Sequence, residues 1–416
     1  VQRPRIPRPN LALAREVLAF WGAERRTLRQ GFTALGISTV VGMAAGLVLG
    51  QMEELLAALP GLLVLVPAAI GMRGAIFGAL GARLGTGILT GQFERTITRG
   101  GFAAQNLTAS ALLTLSSSAL AAVAARAVAA VFGLPSISLW ELMVVSMLGG
   151  ILSSAFILVG VIFLARTAQT RGWDMDAIGS PIITATGDIV TLPALVLATL
   201  LIGNETVATV LGVVLLVLAV VSVVAGVRSR GDVTRTIVRQ SLAVLTYAAI
   251  VDILAGAVLE VQVESLLANA ALLVLIPPFI ANCGSLGGIL SARLGSELHI
   301  GLITPRRFPE KRANLEGSIT VLFSVAAFTG VGLMAHIAAT AVGLTSPGLL
   351  TMVGIALTGG LLAFVLLFAV AYYAAAATYR FGLDPDNFGI PIVTATMDFF
   401  GVLCLVAAMA VFGVLA

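Results

Sequence analysis

Apolar stretches of about twenty residues recur along the whole chain, and each is long enough to cross a hydrocarbon core of about 30 Å as a helix. The chain therefore reads as a polytopic helical membrane protein. Eleven spans are expected, at about 31–50, 61–81, 102–125, 139–165, 178–202, 206–227, 241–259, 271–291, 314–341, 349–376 and 388–414. Their number excludes a lone signal peptide and a single anchor carrying a soluble domain. Composition agrees: 59% of residues are hydrophobic and 11% charged, whereas soluble proteins average about half and a quarter. Ahead of the first span, residues 11–30 place Leu11, Leu18, Trp21 and Leu28 on one helical face with Arg15, Arg25, Arg26 and Arg29 around it. That is the pattern of a helix lying at the membrane interface.

The few charges are ordered. Of the 24 Lys and Arg, 22 lie in the N-terminal segment or in every second connection, leaving only Arg73 and Arg126 elsewhere. The positive-inside rule then predicts an integral cell-membrane protein with a cytoplasmic N-terminus and an external C-terminus. The net charge of +4 gathers into no basic patch, so nucleic acid is not an expected partner. Membrane lipid is. Two cysteines and two histidines supply neither a CxxC nor an HExxH, which excludes a disulfide framework and a structural zinc site. Glu297 and His299 read as an ordinary loop pair, Arg126 and His336 as interface anchors, and Cys404 as packing. No nucleophile or histidine joins the buried acids, so the chain is not expected to be an enzyme.

A shift of 210 residues superposes the two halves. LLVLVP at 62–67 falls on LLVLIP at 272–277, ARLG at 82–85 on ARLG at 292–295, and Gly149-Gly150 on Gly359-Gly360. Between 172–200 and 382–410, 13 of 29 positions are identical, with Asp, Pro and Thr in register. Each unit holds five spans, an odd number, so direct fusion would invert one against the other. Span 206–227 has no counterpart and restores the orientation. The expected architecture is therefore an all-α polytopic membrane protein: two parallel five-helix repeats joined by an extra transmembrane helix, related by a pseudo-two-fold along the membrane normal. The parts are an interfacial segment at 1–30, a first repeat at 31–203, a connecting helix and linker at 204–240, and a second repeat at 241–416. A fused pseudo-dimer of this kind is complete as a monomer, with higher oligomers open.

Asp188, Asp252 and Asp398 lie inside spans, where an aspartate costs about 2.5 to 3.5 kcal/mol to insert. Asp188 and Asp398 are repeat equivalents, each closing a Pro-x-x-Thr-x-Thr-x-Asp string from Pro181 or Pro391. Thr184 and Asp188, like Thr394 and Asp398, are four apart and share a helix face. Each proline is expected to free a backbone carbonyl four residues earlier, near Ala177 or Asn387. Carboxylate, hydroxyl and carbonyl oxygens on one face form a lining for a hard cation. The competing structural reading is a neutral aspartate locking two helices together, and duplication at one depth favours the cation. Asp252, whose counterpart is Gly42, fits either reading. Asp174, Asp176, Asp384 and Asp386 at the cytoplasmic edge of the same spans form a mouth that attracts cations. The Gly-rich second spans, 71–85 and 281–295, follow Pro67 and Pro277-Pro278 and are expected to be interrupted helices, as at transporter sites. Close packing through small residues is the alternative.

These motifs resemble the MgtE magnesium transporter family, and more closely its duplicated branch of the solute carrier family forty-one type. The resemblance rests on Gly71-Met72-Arg73-Gly74 with Ala82-Arg83-Leu84, on Asn282-Cys283-Gly284 with Ala292-Arg293, and on Asp384 to Asn387 followed by Pro391, Thr394 and Asp398. Asp174, Asp176, Pro181, Thr184 and Asp188 match the last motif more loosely. Residues 1–416 carry no counterpart of the family's CBS domains, and Ala75 stands where the family often has Asn. The resemblance implies passage of Mg²⁺ between the units, with Asp188 and Asp398 as pore acids and a polar turn at Asn282. A largely hydrated Mg²⁺, or another divalent cation, is the expected bound and transported ion. Sodium- or proton-coupled magnesium exchange and a non-transporting membrane cation sensor or scaffold are the alternatives.

Overall fold

A computed structural model of the chain describes residues 11–94, 98, 100–171, 175–382 and 389–415. The described regular structure is helical throughout. In chain order the helices are α1 (Leu11–Ala23), α2 (Arg25–Gln51), α3 (Glu53–Ala58), α4 (Leu62–Leu89), α5 (Phe102–Val131), α6 (Leu139–Arg171), α7 (Met175–Thr199), α8 (Glu205–Val227), α9 (Asp232–Val261), α10 (Val263–Ala268), α11 (Ala271–His299), α12 (Lys311–Ala341), α13 (Leu349–Phe381) and α14 (Ile390–Val411). Among the described residues ten helices are long and apolar enough to cross a membrane, and residues 186–199 of α7 add a shorter apolar one. The eleven expected spans reappear as α2, α4 to α9 and α11 to α14.

The 210-residue offset carries through to structure. Helices α2 to α7 correspond in order to α9 to α14, and α1 and α8 have no counterpart. Even the helix stops repeat: Gly133 and Gly343 take φ of +66° and +82°, and the next amides, Leu134 and Leu344, bond back to the Ala129 and Ala339 carbonyls at 2.8 and 3.0 Å. Glycine is the residue that takes this left-handed stop without strain. Asn204 opens α8 by accepting from the Thr206 and Val207 amides at 3.0 and 3.2 Å, the geometry of a helix N-cap. Helix α8 packs on α5 and α6 and leaves Val207, Val210, Val214, Val217 and Val221 exposed, the surface a lipid-facing helix needs.

The units are not side by side. Helix α2, which opens the first unit, packs on α11 and α12 of the second, and α9 packs on α4 and α5 of the first. Two equivalent glycines make the crossings. A side chain at Gly46 would run into the backbone of Val274, and one at Gly256 into the backbone of Val64. Small residues at a crossing let two membrane helices approach to backbone contact. The sequence marks the duplication but not this exchange.

Four details differ from expectation. The second spans, α4 and α11, run as continuous helices through Pro67 and through Pro277 and Pro278. Their glycines serve close packing instead: a side chain at Gly87 would strike the Phe102 ring, and one at Gly287 would come within 3.0 Å of Val393. Pro391 stands in the first turn of α14, where its missing N–H costs nothing and no interior carbonyl is freed. Glu297 and His299 belong to the last turn of α11, not to a loop. Finally, residues 25–30 belong to the first membrane helix, with a single-residue break at Glu24 separating it from α1.

That break is clamped. The Trp21 indole donates to Ser318 Oγ at 3.0 Å, and Lys311 meets Glu16 at 2.6 Å. Arg293 grips the fully buried Glu316 through Nε at 2.5 Å and Nη2 at 2.7 Å and reaches Glu24 at 3.3 Å. The Thr27 hydroxyl, and then Arg293, hold the Glu24 carboxyl below the ordinary carboxylate range. A lowered carboxylate stabilises at neutral pH, and the contribution is lost as pH falls through its depressed value. Glu24 is partly exposed, so the effect is modest. Glu24→Gln should speed amide exchange in α1 by about two- to fivefold at neutral pH, measured by hydrogen–deuterium exchange, and the difference from wild type should vanish in acid.

Candidate cation site between the two units

The site assembles on the two most buried helices, α4 and α11, because their glycines let acid-bearing neighbours approach. Asp398 and Thr394 of α14 face Gly284 of α11: the position of a Gly284 side chain lies 3.2 Å from Asp398 Oδ1 and 3.9 Å from Thr394 Cβ. Asp252 of α9 lies against α4, with Oδ2 2.5 Å from where a Gly71 side chain would begin. Since α9 belongs to the second unit in sequence and α4 to the first, the helix exchange carries Asp252 across. Asp398 stands within electrostatic reach of both Asp252 and Asp188. It is the middle member of the three.

Their surroundings are oxygen-rich and short of donors. Asp252 is 1% exposed and its Oδ1 has no hydrogen-bond partner, an expensive arrangement for a carboxylate unless something else fills the need. Asn282 spends its amide N–H groups on Thr39 Oγ1 at 3.0 Å and the Pro278 carbonyl at 2.8 Å, which leaves Oδ1 buried and unpaired. Thr394 donates to the Pro391 carbonyl at 3.0 Å, so only its lone pairs are left to face a neighbour. Asp188 and Asp398 are half-buried. Among the described residues no three His, Cys, Asp or Glu groups stand close enough to hold a bare metal ion.

Of the residues marked in the sequence, Asp398 and Thr394 share one contact on α11, Asp252 stands against α4, and Asn282 turns to Thr39 of α2; Asp252 and Asp188 each stand within electrostatic reach of Asp398. Thr184 and Asp176 lie on α7 with side chains outside the described residues, and Asp174, Asp384 and Asp386 lie outside them altogether. Arg73, which stands where the other unit has Cys283, turns away from the three acids toward α5 and α6, as set out below. Cys283 packs on Gly401, whose side-chain position lies 3.0 Å from its Sγ.

Residues 66–198 and 276–408 each match the profile of the MgtE family, described as divalent cation transporter. The chain belongs to the MgtE family. The two MgtE matches are themselves 210 residues apart, and each runs from the first turns of its Gly-rich helix to the last turn of its acid-bearing helix, α4 to α7 and α11 to α14. The chain is also 26% identical over 398 residues to solute carrier family 41 member 2 of Macaca fascicularis, covering 88% of this chain and 66% of that protein. It is 25% identical over 403 residues to the Xenopus laevis protein of the same name, with 88% and 68% covered, and 25% over 398 residues to that of Homo sapiens, with 88% and 66%. The chain thus spans about two thirds of the length of these relatives. No solved structure gives a significant match.

Two polar features of this MgtE chain escape a sequence reading. Glu260 accepts from the Gly61 amide at 2.7 Å and so caps the N-terminal end of α4 from the neighbouring α9. Arg312 bonds Glu297 at 2.7 Å beside the Arg293–Glu316 pair. In the first unit the counterpart of Arg293 is Arg83, whose Nε donates to Asn106 at 2.9 Å. The available signal was Glu316 itself, an acid inside a span whose repeat partner is Asn106.

Proposed function

We infer that this chain carries divalent cations, Mg²⁺ above all, through the membrane along the interface between its two units, past Asp188, Asp398 and Asp252. What supports the reading is that the repeat equivalents Asp188 and Asp398 stand within electrostatic reach of one another in a member of a divalent cation transporter family. Carboxylate, hydroxyl and amide oxygens suit a hard ion. Mg²⁺ dehydrates reluctantly, so the ion keeps part of its water and is held through it. Thr184, Thr394 and Asn282 contribute neutral oxygens to that shell, and Asp174, Asp176, Asp384 and Asp386 draw cations to the cytoplasmic mouth. With the N-terminus cytoplasmic, an inward-negative potential of 100 mV supplies about 4.6 kcal/mol to an entering divalent ion, so uptake needs no coupling ion. One chain supplies both halves of the pathway.

The test is a flux panel. Purified protein in proteoliposomes should take up Mg²⁺ in response to an imposed inside-negative potential, faster than Ca²⁺, at a rate that a sodium or proton gradient leaves unchanged. A rate that requires a sodium or proton gradient would turn the reading into coupled exchange. Absence of flux with retained binding would make the protein a sensor or scaffold.

A further inference from the structure

The two units fill one equivalent space in different ways. In the first unit Arg73 of α4 is 1% exposed, and its guanidinium lies between α5 and α6. Nη2 donates to Ser118 Oγ at 2.7 Å, Nε to Ser153 Oγ at 3.4 Å, and Nη1 has no partner. The Ser153 hydroxyl donates to the Gly149 carbonyl at 2.8 Å, so its lone pairs are what Arg73 meets. Among the described residues no carboxylate pairs with Arg73. In the second unit the counterparts of Arg73, Ser118 and Ser153 are Cys283, Phe328 and Ala363. There the Phe328 ring packs on Phe279 with centroids 4.7 Å apart. A side chain at Gly150 would run into the guanidinium, and one at its equivalent Gly360 into the Phe328 ring.

A ring and a guanidinium thus occupy the same place on the same backbone. The second unit shows that an apolar filling suffices for packing, so shape does not account for a buried cation that costs several kcal/mol to desolvate. Charge does. Gly187 of α7 backs onto Arg73, with the position of its side chain 3.7 Å from Arg73 Cβ, and Asp188 is the next residue. With a cation bound and all three carboxyls ionised, the aspartates and the guanidinium carry a formal charge of −2, which one divalent ion neutralises.

We propose that Arg73 is a positioning residue for transport, a fixed positive charge behind the aspartate site that weakens its hold on a divalent cation so that the ion is released to the far side. The proposal rests on the cation-pathway reading above. A site conducts only when binding is weak enough to leave, and three unopposed carboxylates would trap a divalent ion.

The test is the concentration dependence of Mg²⁺ uptake in proteoliposomes. The triple variant Arg73→Cys, Ser118→Phe, Ser153→Ala transplants the second unit's own filling and keeps the volume. It should lower KM about tenfold and reduce the maximal rate by a similar factor. Ser118→Asp keeps Arg73 in place and pairs its charge, and should shift KM in the same direction. Arg73→Lys should stay within about twofold of wild type. A KM that is unchanged or raised in Ser118→Asp, or in a folded triple variant, would overturn the proposal. Asp398→Asn measured alongside separates the two readings. If it abolishes uptake while the Arg73 and Ser118 variants behave as wild type, only the role of Arg73 falls; if it leaves uptake intact, the pathway itself falls.

Discussion

Replacing Asp398 with Asn should cut Mg²⁺ uptake by about a hundredfold or more while the protein still elutes as a single folded species. Asn has nearly the same shape, and the side-chain position of Gly284 lies 3.2 Å from Asp398 Oδ1, so the substitution disturbs packing little. What it removes is the ionisable carboxyl that stands within reach of both Asp252 and Asp188, and with it the negative charge available to a bound cation. At an effective dielectric near 20 a unit charge about 5 Å from a divalent ion contributes several kcal/mol, and a residual of about 3 kcal/mol after screening by retained water corresponds to about two orders of magnitude. Asp188→Asn should lose nearly as much, because it occupies the equivalent position in the other unit. Asp252→Asn should lose less, since it reaches the others through Asp398 alone. Wild-type uptake in both Asp398→Asn and Asp188→Asn would sink the pathway, and equal loss in a paired Asp188→Asn, Asp398→Asn variant would show that the two acids act as one site.

Much of the fold is legible in the sequence because the constraints of a membrane are local. A helix that must cross lipid announces itself in its own residues, and the 210-residue offset ties Asp188 to Asp398 before any helix is placed. What escapes depends on which helices become neighbours. Gly-rich stretches are written alike whether a helix breaks or packs closely, and only Gly287 against Val393 and Gly87 against Phe102 identify α4 and α11 as the latter. Asp252 has no repeat partner, so its place at the site follows solely from the crossing of α9 onto α4. Arg73 illustrates the same limit: its type and depth are plain in the sequence, while its direction, toward Ser118 and Ser153 and not toward an acid, belongs to the packing of α5 and α6.

Gly256→Ala should lower the Tm of the purified protein by about 5 °C or more, and Gly256→Leu should abolish recovery of folded protein. A side chain on Gly256 would meet the Val64 carbonyl carbon at 2.7 Å and its Cα at 2.8 Å. These are backbone atoms of a helix and cannot swing aside as a side chain can, so the cost sits at the upper end of the roughly 1–3 kcal/mol of core overpacking. Gly46→Ala should fall by a similar amount, because it meets Val274 in the equivalent crossing. Gly36→Ala is the control: nothing lies within 4 Å of its added methyl, and alanine is the better helix former, so Tm should hold or rise. One turn from these crossings the symmetry ends. Gly42 lies against Pro278, whose Cα would stand 2.6 Å from an added side chain, whereas its equivalent Asp252 finds room beside Gly71. Gly42→Asp should therefore prevent folding while Asp252→Gly is tolerated, because the backbone of α11 at Pro278 leaves no space for a side chain on α2 where α4 leaves room for one on α9.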